Sequence, residues 1–394
     1  MKILHVNIVN YGGGLEQYLE QLFKELDIRG HKNFFLYGQK CADEKLPNYS
    51  DKYYIDKVTH FKCNNLSSKL AKVNKILENI DPDVILIHQV LNPHLIDLLT
   101  FETTSVRFVH GFKLICPQGS KTLNIKKEIC KSSLSYRCQL KAYTDRCMPR
   151  NPIISLPIIS KSKENVRLHK KRSHMVVASE YMKSVLLYNG FDKEKITVIP
   201  YFTHIPKFKN SYHSNNPPNI LALGRLVKTK GMHYLLKAFC NVNKKAHLTI
   251  VGDGPEFGNL KELAKKLNLT HRVSFCGWIS HEKLDLIFRK SDIVVVPSIW
   301  PEPFGIVGIE AMSYQKPVLA FNVGGISEWC KDKKTGYLIE TKNYKELADK
   351  INMLLYRRDV ANEMGKEGRI SVERRFTPEI HIKRLIPLLN QIIN

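Results

Sequence analysis

Apolar residues in this chain fall in short runs, and the stretches between them are amphipathic and long enough for helices. In the first half "KILHVNI", "NFFLYG", "VILIHQV", "SVRFVH", "HMVVAS" and "ITVIPY" read as strands. The second half continues with "NILALG", "HLTIVG", "VSFCG", "DIVVVP", "PVLAF" and "GYLIE". Leu15, Leu19, Leu22 and Leu26 are spaced by 4, 3 and 4, which predicts a one-faced helix closed by Gly30. "GMHYLLKAFCNV" and "NLKELAKKLNL" supply helices between the later strands. This alternation predicts βαβ units with parallel sheets. A stretch rich in Pro, Asn and Ser, "IPYFTHIPKFKNSYHSNNPPN", reads as a linker. The expected architecture is α/β, with two doubly wound domains facing each other across a cleft. Their expected bounds are 1–205 and 219–376, joined by a linker at 206–218. Ligands of such sheets bind beyond the carboxyl ends of the strands. The residues just after each strand therefore deserve inspection.

Length and composition leave this picture intact. The 394 residues suffice for two domains, and 43% hydrophobic with 25% charged residues is ordinary for a globular protein. No apolar run reaches the roughly 18 to 20 residues of a membrane span. The start, "MKILHVNIVNYGGG", lacks a signal-peptide core and cleavage site. A cytoplasmic protein is expected, so the nine cysteines should be thiols or metal ligands rather than disulfides.

Charge adds more. The formal net charge is +24, and residues 101–200 carry 19 basic against 7 acidic side chains. Residues 201–250 carry 8 basic and no acidic ones, whereas residues 1–100 are neutral. Such an excess attracts phosphates of nucleotides, nucleic acids or anionic lipids, and part of it is a solvated surface. "HKKRSH", with Lys170, Lys171 and Arg172, suggests a reversible electrostatic hold on anionic membranes, with no inserted anchor. No nucleic-acid motif, aromatic–basic interleaving or basic recognition helix supports nucleic-acid binding.

Five features follow strands. Gly12 to Gly14 open the first helix and either admit a phosphate to its amides or only make a tight turn. His110 ends a strand and reads as structural until other residues argue otherwise. In "RLVKTKG", Arg225 and Lys230 stand beside a helix start, suited to a diphosphate or to a solvated loop. "DGPE", after Gly252, shapes a rim. "EPFGIVGIE" places Glu302 and Glu310 around an uncharged, glycine-containing stretch. A helix starting near Phe304 would aim bare N–H groups at an anion, with Glu310 about two turns in. The two carboxylates would then hold hydroxyls, one of them on a ribose. Glu302 could instead serve only the helix dipole, and no neighbouring ligand completes a metal set.

Taken together, these motifs resemble the retaining nucleotide-sugar glycosyltransferases of family 4, which have the GT-B fold. "EPFGIVGIE" is similar to the family's E-x7-E element, "GRLVKTKG" to its diphosphate clamp, and "VGDGPE", "FCGW" and "GGISE" follow in family order. The resemblance implies that Arg225, Lys230 and the amides of Gly13, Gly14, Phe304, Gly305, Ile306 and Val307 hold the donor diphosphate. Glu310 would hold the ribose, Gly252 and Trp278 would border the base, and His110 and Glu302 would contact the transferred sugar. Glu16 and Lys113 are expected on the acceptor side. The resemblance implies a hexose from a nucleotide sugar, UDP-linked by frequency in the family, and a glycan or lipid-linked acceptor in cell-envelope synthesis. It implies no cofactor or metal. A loop after His110 carries Cys116, Cys130, Cys138 and Cys147, which resembles a cysteine-bearing subgroup. Its spacing is not a zinc knuckle, so thiols are favoured over zinc. Residues 377–394 are similar to the family's helix that crosses back onto the first domain. A nucleotide-sugar 2-epimerase of the same fold, and a basic nucleic-acid-binding protein, are the competing readings.

Overall fold

The structure is a computed structural model that describes residues 1–9, 14–40, 51–101, 103–126, 128–207 and 216–394, without the side chains of 281 and 282. Gly13 and linker positions 208–215 lie outside the described residues. One compact unit comprises Met1–Tyr201 and His381–Asn394, the other Phe202–Ile380.

The first unit contains β1 (Lys2–Val9), β2 (Lys32–Gln39), β3 (Asp51–Tyr54), β4 (Val84–Ile87) and β5 (Ser105–Val109). A small antiparallel hairpin, β6 (Thr122–Leu123) and β7 (Glu128–Ile129), precedes β8 (Ser173–Val177) and β9 (Ile196–Val198). The other seven strands form one parallel sheet in the order β3-β2-β1-β4-β5-β8-β9. Central strands covered on both faces need continuous apolar runs, and all of β4 is buried. The helix Gly14–Ile28 buries Leu19, Leu22 and Leu26 as the spacing predicts, together with Tyr18 and Phe23. Strand β3 escapes the hydrophobic pattern because it is an edge strand. Paired on one side only, it tolerates Asp51 and Lys52.

The second unit contains β10 (Asn219–Leu223), β11 (His247–Val251), β12 (Val273–Phe275), β13 (Ile293–Val296), β14 (Val318–Phe321) and β15 (Gly336–Ile339). All are parallel, in the order β12-β11-β10-β13-β14-β15. Strand order reverses between β10 and β13, so a crevice forms at their carboxyl ends. The core that holds these strands includes Ile220, Ile250, Val295 and Leu319, packed with Leu235, Phe239 and Ile351.

The helix after β13 runs Ile306–Ser313, capped by Gly305 at φ 90°. It therefore starts two residues later than the sequence suggested, and Glu310 lies little more than one turn in rather than two. Trp329 fixes that start: its indole Nε1 donates to the Phe304 carbonyl at 2.6 Å. The indole also lies over Gly308, where a Cβ would stand 2.1 Å from the ring. At the end of the chain, helix Pro378–Ile393 carries His381 onto the first unit. There His381 Nδ1 donates to the Pro200 carbonyl at 2.8 Å, and Nε2 accepts from the Tyr18 hydroxyl at 3.0 Å. No described helix is long and apolar enough to cross a membrane.

Gly308→Ala should destabilise the protein by about 1 to 3 kcal/mol, the usual cost of overpacking. Urea unfolding should show a lower midpoint at unchanged slope. An unaltered midpoint would mean that the indole does not set the helix start.

Candidate functional site

At the carboxyl edge of the second unit, backbone bonds lace the loops together. Gly224 N–H donates to Val251 O at 3.0 Å, Leu226 N–H to Asp253 O at 2.8 Å, and Gly252 N–H to Gly277 O at 2.7 Å. Arg225 is exposed on this rim, and no described residue pairs with its guanidinium. Trp278, beside Gly277, is 52% exposed.

Lys228–Lys230 form a single 3-10 turn whose Thr229 carbonyl accepts from Ile299 N–H at 2.9 Å and Ser298 Oγ at 3.3 Å. This joins the loop after β10 to the loop after β13. Gly231, at φ 69°, permits the approach: a Cβ there would stand 1.8 Å from Pro297 O. The result is that Lys230 Nζ lies 2.5 Å from Glu302 Oε1 and 5.9 Å from the Trp300 ring centroid. Glu302 is only 4% exposed. A carboxylate at that depth is costly without a cation beside it.

Phe304 is fully buried against Phe376, so only its backbone borders the rim. Gly305, Ile306 and Val307 are half-buried, and first-turn N–H groups have no partner within a helix. Burial pushes the Glu310 carboxyl up to about 7. Among the described residues nothing hydrogen-bonds or ion-pairs with it. The rim thus presents an unmatched guanidinium, an unmatched carboxyl, a lysine–glutamate pair and the start of a helix. Such a set can hold an anion between hydroxyl-bearing groups.

The first unit holds a different arrangement at its strand ends. His110, just after β5, has Nε2 2.9 Å from His88 Nδ1 and Nδ1 2.6 Å from the Tyr201 hydroxyl. His88 Nε2 lies 3.2 Å from His5 Nδ1, and His5 Nε2 lies 2.9 Å from Asn33 Oδ1. The Asn33 amide nitrogen donates to Asp27 at 2.7 Å, which leaves its oxygen as an acceptor. The direction of the whole chain follows if each ring is neutral. Tyr201 donates to His110, His110 to His88, His88 to His5, and His5 to Asn33. Burial supports neutrality: it lowers His5 and His110 to about 3 and His88 well below its usual value, with the Arg107 charge adding to the effect on His110. Both nitrogens of His110 are therefore engaged within the unit.

Sequence reasoning missed His5, His88 and Tyr201. His5 lies in β1, His88 just after β4 and Tyr201 in a loop after β9, and no local motif joins them. Gly14 opens its helix with nothing within 4 Å of where a Cβ would stand. Glu16 is buried, and its charge, after burial itself, raises Tyr201. Lys113 Nζ donates to Gln89 Oε1 at 3.3 Å.

The loop cysteines are half-buried free thiols, and Cys138 and Cys147 pack with Ala142, Met148 and Ile159. Burial, then the neighbouring loop cysteines, pushes Cys147 up to about 11. Among the described residues no three of His, Cys, Asp or Glu are placed to hold a metal ion.

Residues 205–371 match the family described as glycosyl transferases group 1. An uncharacterized glycosyltransferase of Methanocaldococcus jannaschii is 30% identical over 192 residues, covering 47% of this chain and 49% of that protein. A GDP-mannose-dependent alpha-(1-6)-phosphatidylinositol monomannoside mannosyltransferase of Mycobacterium tuberculosis is 31% identical over 172 residues, covering 41% and 45%. The chain thus spans about half the length of the curated relatives it matches. Among solved structures, HepE of Anabaena in complex with UDP superposes with TM-score 0.76 at 20% identity, over 99% of this chain and all of that one. A Rickettsia africae glycosyltransferase gives 0.76 at 20% identity, over 100% and 98%. The fold is therefore that of the GT-B glycosyltransferases, and the match to the glycosyl transferases group 1 family extends over residues 205–371.

The histidine chain makes stability pH-dependent. An unfolded histidine titrates near 6.5, but the folded chain resists protonation down to about 3 for His5 and His110. Stability is full above pH 6.5 and falls below it by about 1.4 kcal/mol per pH unit for each histidine. Glu310, lifted to about 7, acts oppositely between its unfolded value and neutrality, but it is one group against three. The thermal midpoint should therefore drop as pH is lowered from 7.5 to 5. A midpoint constant over that range would contradict neutral, buried rings.

Proposed function

We propose that the protein is a retaining, metal-independent glycosyltransferase that moves a hexose from a UDP-sugar to a glycan or lipid-linked acceptor of the cell envelope. The observation that carries this reading is the rim of the second unit, which holds the Lys230–Glu302 pair and where, among the described residues, nothing pairs with Arg225 or with the Glu310 carboxyl. Two cations and the amides at 304–307 match a diphosphate, which needs positive charge and N–H donors. Glu310 is suited to a ribose diol, and exposed Trp278 beside Gly252 to the face of a base. Glu302 would take a hydroxyl of the sugar once phosphate draws Lys230 away. His110, held by His88 and Tyr201, would turn to a sugar hydroxyl only by giving up one of those two bonds. UDP is the nucleotide bound in the HepE complex, and GDP-mannose is named for the mycobacterial relative. The departing diphosphate would assist deprotonation of the acceptor on the same face. Electrostatic attachment to an anionic inner membrane surface would bring a lipid-linked acceptor close. A 2-epimerase would isomerise the sugar with no acceptor present, so product analysis separates the two enzymes.

Glu310→Ala should weaken UDP binding by about 1.5 to 3 kcal/mol, as for a lost hydrogen bond to a charged group. Because the wild-type carboxyl titrates near 7, the gap between wild type and Glu310→Gln should widen from pH 6 to pH 8. Calorimetry that finds a pH-independent gap would remove Glu310 from the nucleotide.

Transfer should survive excess EDTA, because cationic side chains and amides neutralise the diphosphate. Loss of activity that magnesium or manganese restores would refute the metal-free part of the proposal.

A further inference from the structure

Sixteen large hydrophobic side chains are exposed among the described residues, and six of them lie between positions 136 and 156: Tyr136, Leu140, Tyr143, Ile153, Ile154 and Leu156. The helix Arg137–Thr144 shows why. Cys138 and Ala142 turn inward against Ile159 and Met148. At 100° per residue, Tyr136, Leu140 and Tyr143 then fall on the opposite, outward face. The helix that follows, Pro152–Arg172, begins with Ile153 82% exposed and Ile154 50% exposed. The two helices are fastened where Gln139 donates to the Arg150 carbonyl at 3.1 Å and accepts from the Ser155 hydroxyl. The apolar residues thus form neighbouring parts of one surface.

The charge around this surface is one-sided. From 129 to 163 the sequence has seven basic residues and a single acidic one, Asp145, which is buried. Arg137, Arg146 and Arg150 are exposed beside the apolar side chains. The next stretch of the helix, with Lys161, Lys163, Arg167 and Lys170 against Glu164 and Asp97, lines a cavity of about 840 Å³ that also reaches Tyr136 and keeps a basic excess. A second copy of this surface would bring like charges together, whereas an anionic bilayer complements both its charge and its apolar side chains.

We infer that the outward face of helix Arg137–Thr144 and the start of helix Pro152–Arg172 insert into the interface of an anionic bilayer. Attachment is then partly inserted, not purely electrostatic as the sequence alone suggested. The inference extends the membrane part of the proposed function. It does not need that function, because vesicle binding is read without donor or acceptor.

The test is flotation of the full chain with phosphatidylglycerol-containing and with pure phosphatidylcholine vesicles, at about 0.05 M and about 0.5 M salt. Wild type should float with the anionic vesicles and stay partly bound at high salt. Leu140→Ser/Ile153→Ser should lose binding at least about tenfold at high salt. Ile28→Ser, which removes an equally exposed apolar residue elsewhere, should behave as wild type. Both variants should keep the wild-type thermal midpoint and UDP affinity. Equal flotation of wild type and the double variant, or binding wholly reversed by salt, would overturn the inference. So would light scattering that shows a dimer dissolved by the double variant, since a second copy would then cover this face. If UDP binding fails while flotation behaves as expected, the glycosyltransferase reading falls and this one stands.

Discussion

A nearly buried carboxylate organises the second unit's rim. Glu302 can stay at 4% exposure only because Lys230 reaches it. Desolvating a lone carboxylate costs several kcal/mol, so the residues that deliver the lysine matter as much as the pair. Gly231 allows the turn to press against Pro297, and the Thr229 carbonyl ties it to Ser298 and Ile299. Gly325 N–H donates to the Glu302 carbonyl at 2.8 Å and fixes the other side. The ammonium that compensates Glu302 is also placed where a phosphate could claim it. A ligand anion would exchange one partner of Lys230 for another and release a carboxylate to hydrogen-bond hydroxyls.

Around this pair, the parallel sheet supplies rigidity and the loops supply chemistry. Helix Ile306–Ser313 is anchored by the indole of Trp329, so its amide end cannot drift from the rim. In the first unit the histidine chain plays a comparable part for His110. Each ring fixes the tautomer of the next, and the terminal donor is a tyrosine hydroxyl. Such a chain orients one imidazole and makes protonation of any member costly.

Much of this was legible in the sequence. Fully buried strands such as β4 and β13 announce themselves as apolar runs, and Leu19, Leu22 and Leu26 mark a helix face. Arg225, Lys230, Glu302 and Glu310 stand out in the sequence because they follow strands, where ligands of such sheets bind, and the structure places Lys230 beside Glu302. What escaped was non-local or inverted. His5, His88 and Tyr201 meet His110 only through folding. The stripe at Tyr136, Leu140 and Tyr143 has the spacing of a core face, and only the packing of Cys138 and Ala142 shows that it points outward. The helix start after β13 shifted because Gly305 takes a left-handed conformation before the first turn.

We propose that Lys230 serves the donor phosphate and that Glu302 does not. The direct measurement is UDP affinity by calorimetry for wild type, Lys230→Met, Glu302→Gln and the double variant. Lys230→Met should lose at least about tenfold in affinity, in keeping with a charged hydrogen bond, and Glu302→Gln should lose none or gain. Equal losses in both single variants, with no further loss in the double, would show that the pair merely holds the loop together and that Lys230 does not meet the phosphate.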